Sequence, residues 1–251
     1  MDIVNRKPAS SDAMFRLVPK EKLHRSKKLK RFTFSLLNHI IKAYKQSAEV
    51  NRMTKKEKIE NFIEEYNGYL ITSLVCSEDI SKTYIAKYIK EHGMEKVSRG
   101  VYIADDVWPD ELFILQQRNG AIIYSGETAL YLHGLTDREY SSVCVTVPQG
   151  YNASHLKDND FNVSVKYAAP DLYKIGICEI ASSSGNLVKV YDQECCICDL
   201  IRNRNKYEVQ VFQTAIKEYM SSKDKKLSQL IVYADMMEIR DEVMKYVEVL
   251  V

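Results

Sequence analysis

Residues 57–104 carry the pattern that most limits what this chain can become. Three helix signals follow one another closely, and two short strands come after them. A first helix is expected from Ile59, Phe62, Ile63 and Tyr66, which share one face, and Asn67-Gly68 stops it. Leu70-Ile71-Thr72 leads into a short second helix over 73–77, with Thr72 or Ser73 as its cap. Ser81 caps a third helix, KTYIAKYIKEH, which ends at Gly93. Met94–Val97, Ser98-Arg99-Gly100 and Val101–Ile103 then read as a β-hairpin, with Gly in a three-residue turn that wants a positive φ. Three helices followed by a hairpin predict a winged helix-turn-helix.

In that arrangement the third helix enters the major groove of DNA. Its inward face is expected to carry Ile85 and Ile89, and Thr83, Lys87 and Lys90 fall on the opposite face. Lys82 and Tyr84 lie in the first turn, and the helix N-terminus at Ser81 can itself take a phosphate. Lysines and a hydroxyl on one exposed face suit phosphates and guanine edges. Arg99 at the hairpin tip can reach phosphate or a narrow minor groove. The candidate DNA contacts are therefore Ser81, Lys82, Thr83, Tyr84, Lys87, Lys90 and Arg99. The competing reading is a winged helix that docks a protein, its lysines simply solvated. The tyrosines that crowd this segment are expected to pack with their hydroxyls outward.

The formal net charge of +2 hides an uneven distribution. Residues 1–58 hold 16 Lys and Arg against 5 Asp and Glu, a net +11, while the other 193 residues sum to −9. A basic arm on an acidic body suggests an anionic partner, nucleic acid first, with a merely solvated tail as the bland alternative. Residues 1–31 are polar and basic. Over 32–47 a helix is expected, because Phe32, Leu36, Leu37, Ile40, Ile41 and Tyr44 form one apolar stripe. The stripe can cover the chain's own body or another chain, so the oligomeric state stays open. Residues 47–56 read as a linker.

Residues 105–251 predict a mixed α+β domain. Helices are expected at about 108–119 and 126–133, strands near 143–147, 162–167, 175–180 and 187–191, and helices again over 193–203, 207–221, 226–238 and 240–249. The organisation expected is thus a basic arm with an amphipathic helix (1–56), a winged helix-turn-helix (57–104) and an α+β domain (105–251).

The six cysteines lack metal-ligand spacing. Cys195, Cys196 and Cys198 cluster, but no His follows residue 155, so a buried helix is expected to hold them and no metal or cofactor is expected. Ser125, Glu127, His133 and Asp137 resemble a catalytic set only on paper. Glu127 and His133 diverge on a helix, Ser125 reads as its N-cap, and His133-Gly134 reads as its C-terminus, the His favoured there by the helix dipole. No G-x-S-x-G, Walker A, H-E-x-x-H or G-x-G-x-x-G motif occurs, so an enzyme is not expected, though residues dispersed over 105–251 leave that class as a third reading. No apolar run is long enough to span a membrane and no signal peptide is visible, which predicts a cytoplasmic chain with reduced thiols.

The run GYLITSLVCSEDISKTYIAKYIKEHGMEKVSRGVYIA (68–104) resembles the N-terminal domain of AbiEi-type antitoxins of type IV abortive-infection systems. The resemblance rests on Ile71-Thr72, Ile80-Ser81, Gly93 and Arg99-Gly100-Val101-Tyr102. A second segment, IIYSGETALYLHGLTD (122–137), is similar to the start of the family's C-terminal region through Ser125, Thr128, Ala129, Leu130, His133, Gly134 and Leu135, and VTVPQGYN (145–152) also fits. The resemblance covers roughly residues 57–205, and residues 1–56 precede the place where the family's winged helix usually begins. It implies a transcriptional repressor that binds inverted repeats of double-stranded DNA in its own promoter, as a homodimer if one copy reads each half-site. It also implies a C-terminal domain that counters a nucleotidyltransferase-like toxin, with no stable complex between the two. The nucleotidyltransferase signature of such a toxin is not visible in this chain.

Overall fold

The computed structural model describes residues 53–157 and 162–250. The arm over 1–31 and the helix expected over 32–47 lie outside the described residues. The chain divides into two units, Met1–Lys58 and Ile59–Val251. Helix α1 (Lys55–Glu65) opens with a reciprocal cap. The Thr54 amide donates to Glu57 Oε2 at 2.6 Å, and the Glu57 amide donates to Thr54 Oγ1 at 3.3 Å. This Thr-x-x-Glu box starts the helix inside the stretch expected as linker. Asn67 and Gly68, with φ of 48° and 88°, end it as expected.

There follow β1 (Tyr69–Ile71), α2 (Thr72–Ser77), α3 (Lys82–Glu91), β2 (Glu95–Ser98) and β3 (Val101–Ile103). The three strands form an antiparallel sheet in the order β1-β3-β2. Strand β1 was not expected from the sequence. The hairpin also differs from expectation. Ser98 pairs with Val101, so its loop is the two residues Arg99-Gly100, and the extra residue sits as a bulge at Val97. Gly100 supplies a φ of 78° at the second loop position. Neither Thr72 nor Ser73 caps α2: the N-cap position is Ile71, which has no side-chain acceptor. Thr72 instead gives both its amide (2.9 Å) and its hydroxyl (3.1 Å) to the carbonyl of Gly100, tethering the hairpin turn.

The larger part of the second unit is mixed α+β. Helix α4 (Glu111–Arg118) is capped by Asp110, which accepts from the Phe113 amide at 3.1 Å. Strand β4 (Ile123–Tyr124), α5 (Gly126–Leu132), β5 (Val143–Pro148), α6 (Ser154–Lys157), β6 (Val163–Ala168), α7 (Pro170–Tyr173), β7 (Ile177–Ala181) and β8 (Leu187–Tyr191) come next. Five strands make one sheet in the order β6-β5-β4-β8-β7. The pairs β5–β6 and β4–β8 are parallel, and the pairs β4–β5 and β7–β8 are antiparallel. The four expected strands are present. The fifth, β4, has only two residues and lies at the centre.

Helices α8 (Gln193–Arg202), α9 (Val209–Ser221), α10 (Leu227–Met236) and α11 (Arg240–Leu250) complete the chain close to the expected bounds. Helix α8 is the hub. It packs against α5, α9, α10 and α11, and Cys195, Cys196, Ile197, Cys198, Leu200 and Ile201 are all buried. The cysteines therefore act as small apolar residues. Loss of solvent pushes the Cys198 thiol up to about 12, and the Cys195 and Cys196 thiols are raised by the same cause. A thiol held protonated by burial is a poor nucleophile.

Two cores meet at the three-stranded sheet. Ile59, Leu70, Val75, Ile80, Ile85, Tyr88 and Met94 form the smaller one, among the helices. Tyr69, Ile71, Val101 and Ile103 point the other way into the large core, with α4, the three inner strands β5, β4 and β8, and α8. Strand alternation thus gives each face of one sheet to a different core. The boundary expected at 104/105 falls beside this shared layer. Among the described residues, no helix is long and apolar enough to cross a membrane.

Candidate nucleic-acid interface

Helix α3 is defined at both ends by its own residues. Ser81 accepts from the Tyr84 amide at 3.3 Å, and Gly93 takes a φ of 63° just beyond the C-cap His92. The His92 ring stacks on Tyr88, and its Nδ1 donates to the Tyr88 carbonyl at 2.9 Å. Ile85 and Tyr88 are buried against α1 and α2, and Ile89 is half-buried behind them. Ser81, Lys82, Thr83, Lys87 and Lys90 are all exposed, as the helical spacing requires.

Tyr84 differs from the other expected contacts. It is half-buried, and its ring packs against the small core. At the β2 edge of the three-stranded sheet, Arg99 and Lys96 are exposed, and Arg99 occupies the tip of the β2–β3 hairpin. That tip is held from below, because a Cβ on Gly100 would stand 2.8 Å from Thr72 Oγ1. The Ser98 hydroxyl beneath it is buried without a hydrogen-bond partner.

The positive charge on this face is partly matched. Lys87 Nζ lies 3.6 Å from Glu91 Oε1 one turn on, with both side chains more than half exposed. An exposed i,i+4 pair of this kind is weak and readily exchanged for another anion. What these elements offer chemically is a helix presenting Lys82, Thr83, Lys87 and Lys90 to solvent and a hairpin loop presenting Arg99. Such groups donate hydrogen bonds and carry positive charge.

The residues that resembled a catalytic set go to other tasks. Ser125 holds the N-cap position of α5 without capping it, and its Oγ instead accepts from Thr146 Oγ1 at 2.9 Å. His133 is not a charged partner for the helix dipole. Its Nε2 donates to the Tyr191 carbonyl at 2.7 Å, and burial lowers its proton affinity, so the ring stays neutral. Thr128 accepts from the Cys144 amide at 2.9 Å, tying α5 to β5.

A cavity of about 570 Å³ had no signal in the sequence. It lies where β6, α5, α7 and α8 converge. Lys166 on β6 donates to Asp199 Oδ2 on α8 at 2.8 Å, and to the hydroxyl of Tyr207 at 3.1 Å. Tyr207 donates to the same Asp199 oxygen at 2.8 Å. These residues come from three separate elements, so no local pattern links them. Among the described residues, no group of three or more His, Cys, Asp or Glu side chains is placed to hold a metal ion.

No protein-family model matches this chain, and no curated protein matches it. Among solved structures, the chain is similar to the crystal structure of the RV2827C protein from Mycobacterium tuberculosis. The match covers 76% of this chain and 77% of that one, at 8% sequence identity and a TM-score of 0.43.

Proposed function

We propose that residues 57–104 are a winged helix-turn-helix that binds double-stranded DNA, and that the chain is an autorepressing antitoxin of the AbiEi type. The observation that carries the DNA reading is the pairing of α3 with the β2–β3 hairpin. The helix turns Lys82, Thr83, Lys87 and Lys90 to solvent, and the hairpin raises Arg99 at its tip. In the winged-helix mode the helix would lie in the major groove and Arg99 would reach backbone or minor groove beside it. Tyr84 is left out of the contact set because its ring is committed to the core. The antitoxin part rests on the sequence resemblance of 68–104 and 122–137. On this reading the chain is not an enzyme, works in the cytoplasm, and counters a nucleotidyltransferase-like toxin without a stable complex.

Fluorescence anisotropy with the full chain tests the DNA reading. A duplex from the region upstream of its own gene is compared with a scrambled duplex of equal length, over a salt series. Preference for the upstream duplex, with affinity falling as salt rises, is the expected result. Equal affinity for both duplexes, or none for either, sinks it. Co-expression with an adjacent nucleotidyltransferase-like gene tests the antitoxin part, and unrelieved growth arrest argues against it.

A second reading, a docking module for a protein, is favoured by one feature. Trp108, the chain's single tryptophan, is 88% exposed between β3 and α4. Tryptophan is the side chain most enriched at the energetic centres of protein interfaces. Loss of partner binding on Trp108→Ala with DNA binding absent would favour this second reading.

A further inference from the structure

We propose that the cavity between β6, α7 and α8 binds a phosphorylated small molecule, a phosphate mono- or diester group carried on a flat or apolar body. The inference is independent of the DNA reading, because it uses none of the residues on α3 or the hairpin.

The charges come first. Lys166, Arg202 and Lys206 line the cavity, and Asp199 is the carboxylate among its lining residues. Three cations against one anion leave a surplus of two positive charges, which a phosphate monoester dianion would neutralise. Asp199 is in addition largely engaged. Its Oδ2 accepts from Lys166 and Tyr207, and its Oδ1 accepts from Asn203 Nδ2 at 2.9 Å. It therefore orients Lys166 and has little capacity left to coordinate a metal or to act as a base. Burial, and after it the Asp199 carboxylate, push the Tyr207 phenol up, so its proton stays in place as the donor to Asp199.

The second point is the count of unused donors. An ammonium has three N–H groups. Lys166 uses two of them, on Asp199 and Tyr207, and one remains. Ser125 and Thr146 also line the cavity, only 4% and 5% exposed, and they share a single hydrogen bond. Two hydroxyls joined by one bond leave one O–H without an acceptor, whichever of them donates. A buried donor without an acceptor is costly, and a ligand oxygen would relieve it. Arg202 and Lys206 are exposed and add charge at the rim.

The third point is shape. A volume of about 570 Å³ falls within the range of sites for small organic ligands. Leu172, Met237 and the half-exposed Tyr167 ring give the wall an apolar side for the body that carries the phosphate. Gly126 permits the close approach of α5 to this wall. It has a φ of 56°, and a Cβ there would lie 3.4 Å from both Lys166 Nζ and the Tyr207 hydroxyl.

The test is calorimetric titration of the full chain with adenosine 5′-diphosphate, glucose 6-phosphate, pyrophosphate and adenosine, at constant ionic strength. Saturable binding of a phosphate ester is expected, and adenosine without phosphate should not bind. The nucleotide and the sugar phosphate distinguish the two kinds of carrier. The double variant Arg202→Ala/Lys206→Ala alters exposed side chains and should keep the fold. It should weaken binding about tenfold, as expected for the loss of charge-assisted contacts. Lys166→Met should abolish binding, and a Lys87→Ala/Arg99→Ala control should leave it unchanged. Failure of every phosphate probe to bind at millimolar concentration overturns the proposal. So does binding that survives Arg202→Ala/Lys206→Ala unchanged, or that is lost in the Lys87→Ala/Arg99→Ala control.

Discussion

The Tyr69 hydroxyl accepts a hydrogen bond from the Asp110 amide at 2.6 Å, joining strand β1 of the small sheet to the start of α4. The Asp110 carboxylate accepts in turn from Asn186 at 2.8 Å and from Ser182, both at the β7–β8 turn. Asn67 reaches the same turn, donating to Asn186 Oδ1 at 3.2 Å and to the Gly185 carbonyl at 3.3 Å. One polar cluster therefore fastens the end of α1, the small sheet and the large sheet together. Tyr69→Phe would leave a buried amide hydrogen without a partner. The expected loss is about 1–3 kcal/mol. Urea unfolding would show it, and a midpoint equal to the wild type would argue against this role for the hydroxyl.

Salt dependence measures the proposed DNA face directly. Each phosphate contact releases counterions, so removing two of them should lower the slope of log affinity against log salt by about two. Lys87→Ala/Arg99→Ala is the variant for this. If its slope matches the wild type, these two residues do not touch the backbone.

Glu91 should act as a brake on the same face. It competes with phosphate for Lys87. Glu91→Gln is expected to raise DNA affinity by about two- to fivefold, the size of an exposed ion pair. The effect should vanish when Lys87 is also changed to Ala. An increase that persists in that background would point to general charge and not to this pair.

His133 makes stability depend on pH with a definite sign. Burial holds its folded proton affinity below that of the unfolded chain, where an imidazole titrates near about 6.5. The unfolded chain therefore takes up the proton first as pH falls. Full stability is present above about pH 6.5 and is lost progressively below it. Thermal unfolding of wild type and His133→Gln between pH 7.5 and 5 should converge toward acid pH. Parallel curves would mean that the ring is not held neutral.

What could be read from the residues alone divides by distance along the chain. Helices α1, α3 and α8 to α11 announce themselves through apolar periodicity and local caps such as Ser81 and Gly93. The capping box of Thr54 and Glu57 was equally local and could have moved the start of α1 to residue 55. Strand β4 is a different case, because two residues are too few to show any alternation. Its place at the centre depends on partners up to 66 positions away, as in the pairing of Tyr124 with Val190. Thr72 has the composition of a helix cap, but its acceptor is a carbonyl 28 residues later. The cavity was least legible of all. Lys166, Asp199 and Tyr207 are unremarkable singly, and only the β6–α8 packing brings them within hydrogen-bonding distance.

The two-faced sheet has a consequence for how this chain can be taken apart. A fragment ending at residue 104 would keep its helices and hairpin but expose Tyr69, Ile71, Val101 and Ile103 to water on the side now covered. The remaining piece would lose the same cover. Neither half is a detachable module, so a recombination or a fusion that cuts between them would yield two sticky products in place of two working parts. The groups that face DNA on this reading ride on the same rigid layer that roofs the large core, and any push on that core has a short mechanical route to Arg99.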